Sequence, residues 1–253
     1  MKLENKVAIV TGGSQGIGEA ICQAYAKEGA VVVVVNYKNP AAGEKVAEQL
    51  RKQGGKANAI SCDVTNPDSI RILIQEVIKL HGRIDILVNN AGVVIFKLLE
   101  EQTLEDWNYV IDTNLKSGFL MSQAVVPFMK NQKSGKIIFV SSIAGSMGFS
   151  SVAPYSASKG GMLAMAKTMV AELAQYNINV NSISPGNTST SMNQQLRDDP
   201  EFVAWLEKKS PTGEAYMQAE DIAGSAVFLA SEAAKTIHGL DLIVDNGVSS
   251  VQV

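Results

Sequence analysis

Seven short runs of β-branched and other apolar residues recur along the chain, at Val7–Val10, Val31–Val35, Ala57–Ser61, Ile84–Val88, Lys136–Val140, Asn179–Ile183 and Leu240–Val244. They read as apolar runs rather than as alternating ones, the pattern of strands covered on both faces in a parallel sheet. Between them the apolar positions follow the helical period: Ile21, Tyr25 and Ala26, then Val46 and Leu50, then Ile70, Leu73, Ile74 and Val77. Strand alternating with helix predicts an α/β fold, a doubly wound seven-stranded parallel sheet with helices on both faces, in a single domain over 1–253. Leu104–Met129 and Pro154–Tyr176 read as long helices with apolar positions on more than one face, Met162, Met165 and Met169 among them. The polar stretch 187–213, containing NTSTSMNQQLRDDPEF, has no clear strand and reads as a loop or helical lid of the same domain.

Composition narrows the possibilities without changing this picture. The chain has 253 residues, 46% hydrophobic and 19% charged, enough for a full core. A net charge of −3 and the lack of a basic run give no reason to expect nucleic acid as a partner. Cys22 and Cys62 have no metal-ligand or CxxC spacing and read as reduced core residues. His81 and His238 are too few and too far apart for a metal site. The start, MKLENKVAIV, has no apolar stretch of signal-peptide or membrane-span length, so the expectation is a cytoplasmic protein with no membrane segment and no metal.

Candidate chemistry begins after the first strand, where TGGSQGIG runs from Thr11 to Gly18 and opens an apolar helix. Gly12 permits the tight turn, Gly16 lets backbone approach a pyrophosphate, and Gly18 lets the helix pack closely on the strand. The helix N-terminus then presents free N–H groups to phosphates. Strand, glycine motif and helix in this order predict dinucleotide binding, with Ser14, Gln15 and Ile17 as further loop contacts.

In YSASKGG, Tyr155 and Lys159 lie four residues apart in a helical segment and so share a face. A free tyrosine titrates near pH 10, too high for acid–base work at neutrality. An adjacent ammonium stabilises the phenolate, so the pair is a candidate general acid/base for a carbonyl or alcohol. Spacing alone does not separate it from a chance surface pair.

The order of the glycine loop, NNAG (Asn89–Gly92), Asn114, VSS (Val140–Ser142), YSASK and Pro185–Gly186 does separate them. With these motifs the chain resembles the short-chain dehydrogenase/reductase family, from Lys6 to Gly247. The resemblance implies a Rossmann fold and an NAD(P)-dependent oxidoreductase interconverting a carbonyl and a secondary alcohol. It implies Tyr155 as acid/base, and Lys159 as the group that lowers the Tyr155 pKa and holds the nicotinamide ribose. Ser142 is implied as the hydrogen-bond donor to the substrate oxygen, in preference to Ser141, and Asn114 as the holder of a water linking Lys159 to solvent. Asn90, Ala91 and Gly92 are implied on the adenine-ribose side, Asp63 and Val64 at the adenine, and Pro185, Gly186, Thr188 and Thr190 around the nicotinamide carboxamide. A homotetramer is the assembly it implies.

Departures from the family pattern are Thr188 for a usual Ile or Val, Glu214 near a usual Arg, and Asn246 for a usual Gly. At the end of the second strand stands Asn36, where an acid would select NAD. A neutral amide does not repel a 2′-phosphate and Lys38 could pair with it, which favours NADP(H) with NAD(H) as the other possibility. Val93, Val94, Phe96, Ile143, Ala144, Phe149 and Val152 are candidate lining residues without charge, so a small neutral ketone or alcohol is the expected substrate. Sugar or polyol oxidation and 3-oxoacyl thioester reduction are the alternatives. Gln175 and Tyr176, standing where a basic pair would hold an acidic carrier protein, weaken the last. A cofactor-binding regulator with the same fold is the non-enzyme alternative.

Overall fold

The valine run explains the architecture in miniature. In the computed structural model, which describes residues 1–251, it forms strand β2 (Val31–Asn36), second from one edge of a single sheet. Val32 and Val34 pack into one hydrophobic layer while Val33 and Val35 pack into the other. A strand buried on both faces has no polar positions to alternate with, which is why the run is continuous.

The remaining strands are β1 (Val7–Thr11), β3 (Lys56–Ser61), β4 (Ile86–Asn89), β5 (Gly135–Val140), β6 (Ile178–Pro185) and β7 (Asp241–Val244). All seven pair in parallel, in the order β3-β2-β1-β4-β5-β6-β7. The doubly wound seven-stranded sheet expected from the pattern is therefore present, with strand ends displaced by one or two residues. Helices α1 (Gly16–Lys27), α2 (Pro40–Lys52) and α9 (Ala219–Ala230) cover one face. On the other face lie α3 (Pro67–His81), α5 (Ser117–Gln132) and α6 (Ala153–Leu173).

Two long helices were expected, and one of them is interrupted. Leu104–Met129 divides into α4 (Leu104–Ile111), a π-turn over Asp112–Lys116, and α5. In the π-turn the Ser117 N–H reaches back five residues to the Asp112 carbonyl. Such wide turns bulge a helix and re-aim the side chains they contain. Asn114 sits at its centre.

The 187–213 stretch is mostly helical. After a parallel bridge between Thr188 and Met217 come a 3₁₀ turn (Ser191–Asn193), α7 (Gln194–Arg197) and α8 (Pro200–Lys209). Asp199 starts α8 by accepting from the N–H groups of Glu201 and Phe202, with Pro200 in its first turn. Among the described residues no helix is long and apolar enough to cross a membrane, and no group of three or more His, Cys, Asp or Glu side chains could hold a metal ion.

Candidate active site

Because β1 lies between β2 and β4, the chain leaves neighbouring strands β1 and β4 in opposite directions, which opens a crevice at their C-terminal ends. The sequence closes that crevice's floor with one hydroxyl. Thr11 accepts from the N–H groups of Asn90 and Ala91, each at 3.0 Å, and donates to the Val88 carbonyl at 3.2 Å. Asn90 returns its amide to the carbonyls of Thr11 (2.9 Å) and Gly12 (3.2 Å). The NNAG turn is thereby bolted to the glycine loop.

Gly12 and Gly16 adopt φ of +64° and +53°, a region side chains rarely enter. Gly18 is needed for space, since a Cβ there would stand 2.5 Å from the Asn90 amide nitrogen and closer still to the Gly12 carbonyl oxygen. Helix α1 starts at Gly16 with no side chain capping its first N–H groups. Gly16, Ile17 and Gly18 line a cavity of about 600 Å³ that extends to Tyr155 and Lys159.

At the far end of that cavity β5 and α6 meet. Lys159 is buried, and its ammonium donates to the carbonyl of Val140, the last residue of β5, at 2.8 Å. Burial pulls its pKa down from 10.5 to about 8. Its nitrogen stands 5.4 Å from the centroid of the Tyr155 ring. The Tyr155 phenol is raised by burial, against which a hydrogen bond with Ser142 acts in the lowering direction. The spacing of the pair suggested a phenol depressed by the lysine. In the structure the larger effect on the phenol is burial, which acts in the opposite direction.

The two adjacent serines diverge. Ser141 donates to the Lys159 carbonyl at 3.0 Å and is committed to fixing α6 on β5, whereas Ser142 accepts from Ala144 N–H at 3.1 Å and lies beside Tyr155. Asn114, fully buried, spends its whole amide on neighbouring segments. It accepts from Val93 N–H (2.8 Å) and donates to the Val93 carbonyl (2.9 Å) and to Ser158 Oγ (3.0 Å). Gly92 fits between the two, since a Cβ there would lie 3.3 Å from Asn114 Oδ1 and 3.7 Å from Lys159 Nζ.

The structure thus brings Gly12, Gln15, Gly16, Ile17, Gly18, Asn90, Ala91, Gly92, Ser142, Tyr155, Lys159, Pro185, Gly186, Thr188 and Thr190 to one cavity, with Asn114 behind it. Thr190 packs on the glycine loop, its methyl 3.2 Å from where a Gly16 Cβ would be, and Thr188 turns its hydroxyl to the Gly186 carbonyl. Ser14, Asn36, Lys38, Asp63 and Val64 do not line the cavity. Asn36 is buried with its amide donating to the Asn39 carbonyl, and its side-chain oxygen, facing Gly43, has no partner. Lys38 is exposed over the Tyr109 ring, 5.7 Å from its centroid. Asp63 caps its own turn through Thr65, and Val64 belongs to the core.

Of the candidate lining residues, Val94, Phe96, Ile143, Ala144, Phe149 and Val152 face the cavity and Val93 does not. Sequence reasoning missed the wall supplied by Met192, Leu196, Phe202, Trp205 and Leu206. The signal was present, since Phe202, Trp205 and Leu206 recur at helical spacing inside an otherwise polar stretch.

This arrangement fits a dinucleotide. Two left-handed glycines, an uncapped helix start and a cavity long enough to join them to a buried lysine and tyrosine match what such a cofactor needs. Comparison with known proteins agrees. The family model described as short chain dehydrogenase matches residues 6–201. The chain is 35% identical over 249 residues to cyclopentanol dehydrogenase of Comamonas sp., covering 98% of this chain and 99% of that one. It is 40% identical to the 3-oxoacyl-[acyl-carrier-protein] reductase of Synechocystis sp., covering 97% and 98%. A crystal structure of gluconate 5-dehydrogenase from Burkholderia cenocepacia, in complex with NADP and tartrate, superposes with a TM-score of 0.95 at 34% identity, covering 99% of this chain and 98% of that one. Motif order, sheet topology and these matches over nearly its whole length place the chain in the short-chain dehydrogenase/reductase family.

Proposed function

We propose that this NAD(P)-dependent oxidoreductase interconverts a neutral ketone and its secondary alcohol, with NADP(H) as the favoured cofactor and NAD(H) as a second. The observation that carries the reading is the convergence of Ser142, Tyr155 and Lys159 in the cavity that begins at the glycine loop. When bound, the nicotinamide supplies or accepts the hydride. Gly12 to Gly18 and the start of α1 would receive the pyrophosphate, and Pro185, Gly186, Thr188 and Thr190 would flank the nicotinamide carboxamide. Ser142 donates to the substrate oxygen and orients it towards the Tyr155 hydroxyl. Tyr155 gives that oxygen its proton in reduction and removes it in oxidation. Lys159, charged at neutrality, holds the ribose and stabilises the phenolate while the proton is away. Asn114 is a positioning residue that ties the Val93 segment to α6 through Val93 and Ser158.

NADP(H) is supported by the neutral Asn36, by Lys38 nearby, and by NADP in the related gluconate 5-dehydrogenase crystal. The 187–213 stretch acts as the substrate lid, since α7 and α8 supply one wall of the cavity. The chain works as a cytoplasmic homotetramer. Leu99, Leu104, Trp107 and Phe119 remain exposed around α4 and α5, apolar surface that a second copy would cover. The reading is tested by following NADPH absorbance with a panel of neutral ketones, beside Tyr155→Phe. Ketone-dependent oxidation lost in the variant, with cofactor binding retained, is expected. A variant that keeps most of the wild-type kcat overturns the assignment.

A further inference from the structure

Four large apolar side chains that stand open to solvent, Phe96 (44%), Phe149 (41%), Met192 (44%) and Trp205 (51%), line the same cavity. They come from three different segments: the loop after β4, the loop after β5, and the 187–213 stretch. Trp205 is stacked on Phe202, which also lines the cavity, with ring centroids 5.6 Å apart and planes inclined by 25°. Scattered exposed apolar residues need no explanation, but a set converging on one concave site does. An apolar group seated in the cavity would cover them.

The polar inventory points the same way. Among the described residues, Lys159 is the sole charged side chain lining the cavity, and its ammonium is engaged by Val140. Arg197, on the same stretch as Trp205, is not a lining residue and gives its guanidinium to the Thr190 carbonyl and the Gln194 side chain. Lys97, beside Phe96, is paired with Asp106 at 2.6 Å. The Asn193 amide, which does face the cavity, donates to the Thr188 carbonyl and accepts from Thr190 N–H. No charged side chain except Lys159 therefore lines the cavity to receive a carboxylate, and the Asn193 amide is already used. A carboxylate would lose its hydration here with no lining cation but Lys159 to receive it.

Resting on the carbonyl reductase reading, we infer that the substrate is hydrophobic and uncharged, a ketone or secondary alcohol bearing a ring or branched alkyl group. The Phe202–Trp205 pair selects that group, and Trp205 is the specificity-determining residue. The same wall disfavours keto-sugar acids.

The test compares kcat/KM for cyclohexanone and for the keto-sugar acid 5-keto-D-gluconate, in wild type and in Trp205→Ala, with NADPH saturating. Wild type should favour the ring ketone by at least roughly tenfold, and Trp205→Ala should remove most of that preference by lowering the ring-ketone value alone. A second readout does not depend on turnover. In a Trp107→Phe background Trp205 is the remaining tryptophan. Its emission should shift to the blue when cyclohexanone is added to the NADP⁺ complex, and should stay unmoved by gluconate. Preference for the keto acid overturns the inference, as does a Trp205→Ala variant that lowers both values equally. Keto-acid preference that disappears in Arg197→Ala would assign recognition to that guanidinium instead. If no carbonyl compound of either kind is reduced, the reductase reading falls, and the emission shift alone decides the cavity's preference.

Discussion

The ammonium of Lys159 is held 2.8 Å from the carbonyl oxygen of Val140, so the end of strand β5 aims a lysine carried by helix α6. The bond satisfies one hydrogen of a buried group, and burial lowers its pKa from 10.5 to about 8. A charge kept inside the protein for catalysis is a stability cost, and its pH window follows from that shift.

Below pH 8 both folded and unfolded states hold the proton and the cost is present in full. Between about 8 and 10.5 the folded state releases it while the unfolded state keeps it, so stability rises with pH across that window. The full shift corresponds to about 3 kcal/mol, from which roughly 1 kcal/mol is subtracted when the Val140 bond is lost. Lys159→Met should therefore unfold at higher urea than wild type at pH 7, with the gap narrowing by pH 10, while turnover disappears. Equal midpoints at pH 7 would mean that the lysine is hydrated in solution.

Asn114 should behave as a clamp rather than as a chemical group. Asn114→Ala strands the N–H and carbonyl of Val93, together worth roughly 2 kcal/mol or more. Urea midpoint and kcat should fall together, and Asn114→Asp, which keeps only the acceptor for Val93 N–H, should lie between. Loss of kcat with an unchanged midpoint would show that the residue acts on the proton path itself.

Gly18→Ala places a methyl against the Asn90 amide and the Gly12 carbonyl, which are bonded to each other, with Asn90 held in turn by Thr11. Neither neighbour is the free end of a flexible side chain, so the glycine loop has to move. Overpacking of this sort costs about 1–3 kcal/mol. Titration of NADPH fluorescence should show affinity reduced by more than roughly tenfold, with kcat at saturation reduced less. Unchanged affinity would mean that the loop shifts without disturbing its phosphate-facing N–H groups.

Cofactor choice is testable at Asn36 and Lys38. The Asn36 amide donates to the Asn39 carbonyl, which an aspartate cannot do. Asn36→Asp is expected to turn its carboxylate outward to the ribose diol and shift kcat/KM towards NADH. It should also lose roughly 1–3 kcal/mol of stability with the corner bond. Lys38→Ala should weaken NADPH use more than NADH use. Equal loss for both cofactors would remove Lys38 from phosphate recognition and leave it as the exposed partner of Tyr109.

The sequence by itself determined the sheet and most of the cavity. Continuous apolar strands such as Val31–Val35 can only be buried on both faces, and that demands a parallel sheet between two helical layers. Glycines in a backbone region that side chains rarely enter, and a tyrosine and lysine one helical turn apart, are local facts that survive folding unchanged. Asn246, in place of a usual glycine, belongs with them: its φ of +55° is one that asparagine tolerates better than other side chains. What only the tertiary structure decided lies where one segment's hydrogen bonds are taken by another. Lys159 is aimed by the Val140 carbonyl, and burial raises the Tyr155 phenol. Asn114 is turned by a π-turn onto Val93 and Ser158. The Asn36 amide is drawn to the Asn39 carbonyl at the start of α2, with its oxygen against Gly43. The Phe202–Trp205 wall faces the cavity because the bridge between Thr188 and Met217 and the Thr190 contact with Gly16 fix where its helices lie. Side-chain partners chosen across long chain separations leave no period in the sequence, so their direction is set only when the layers close.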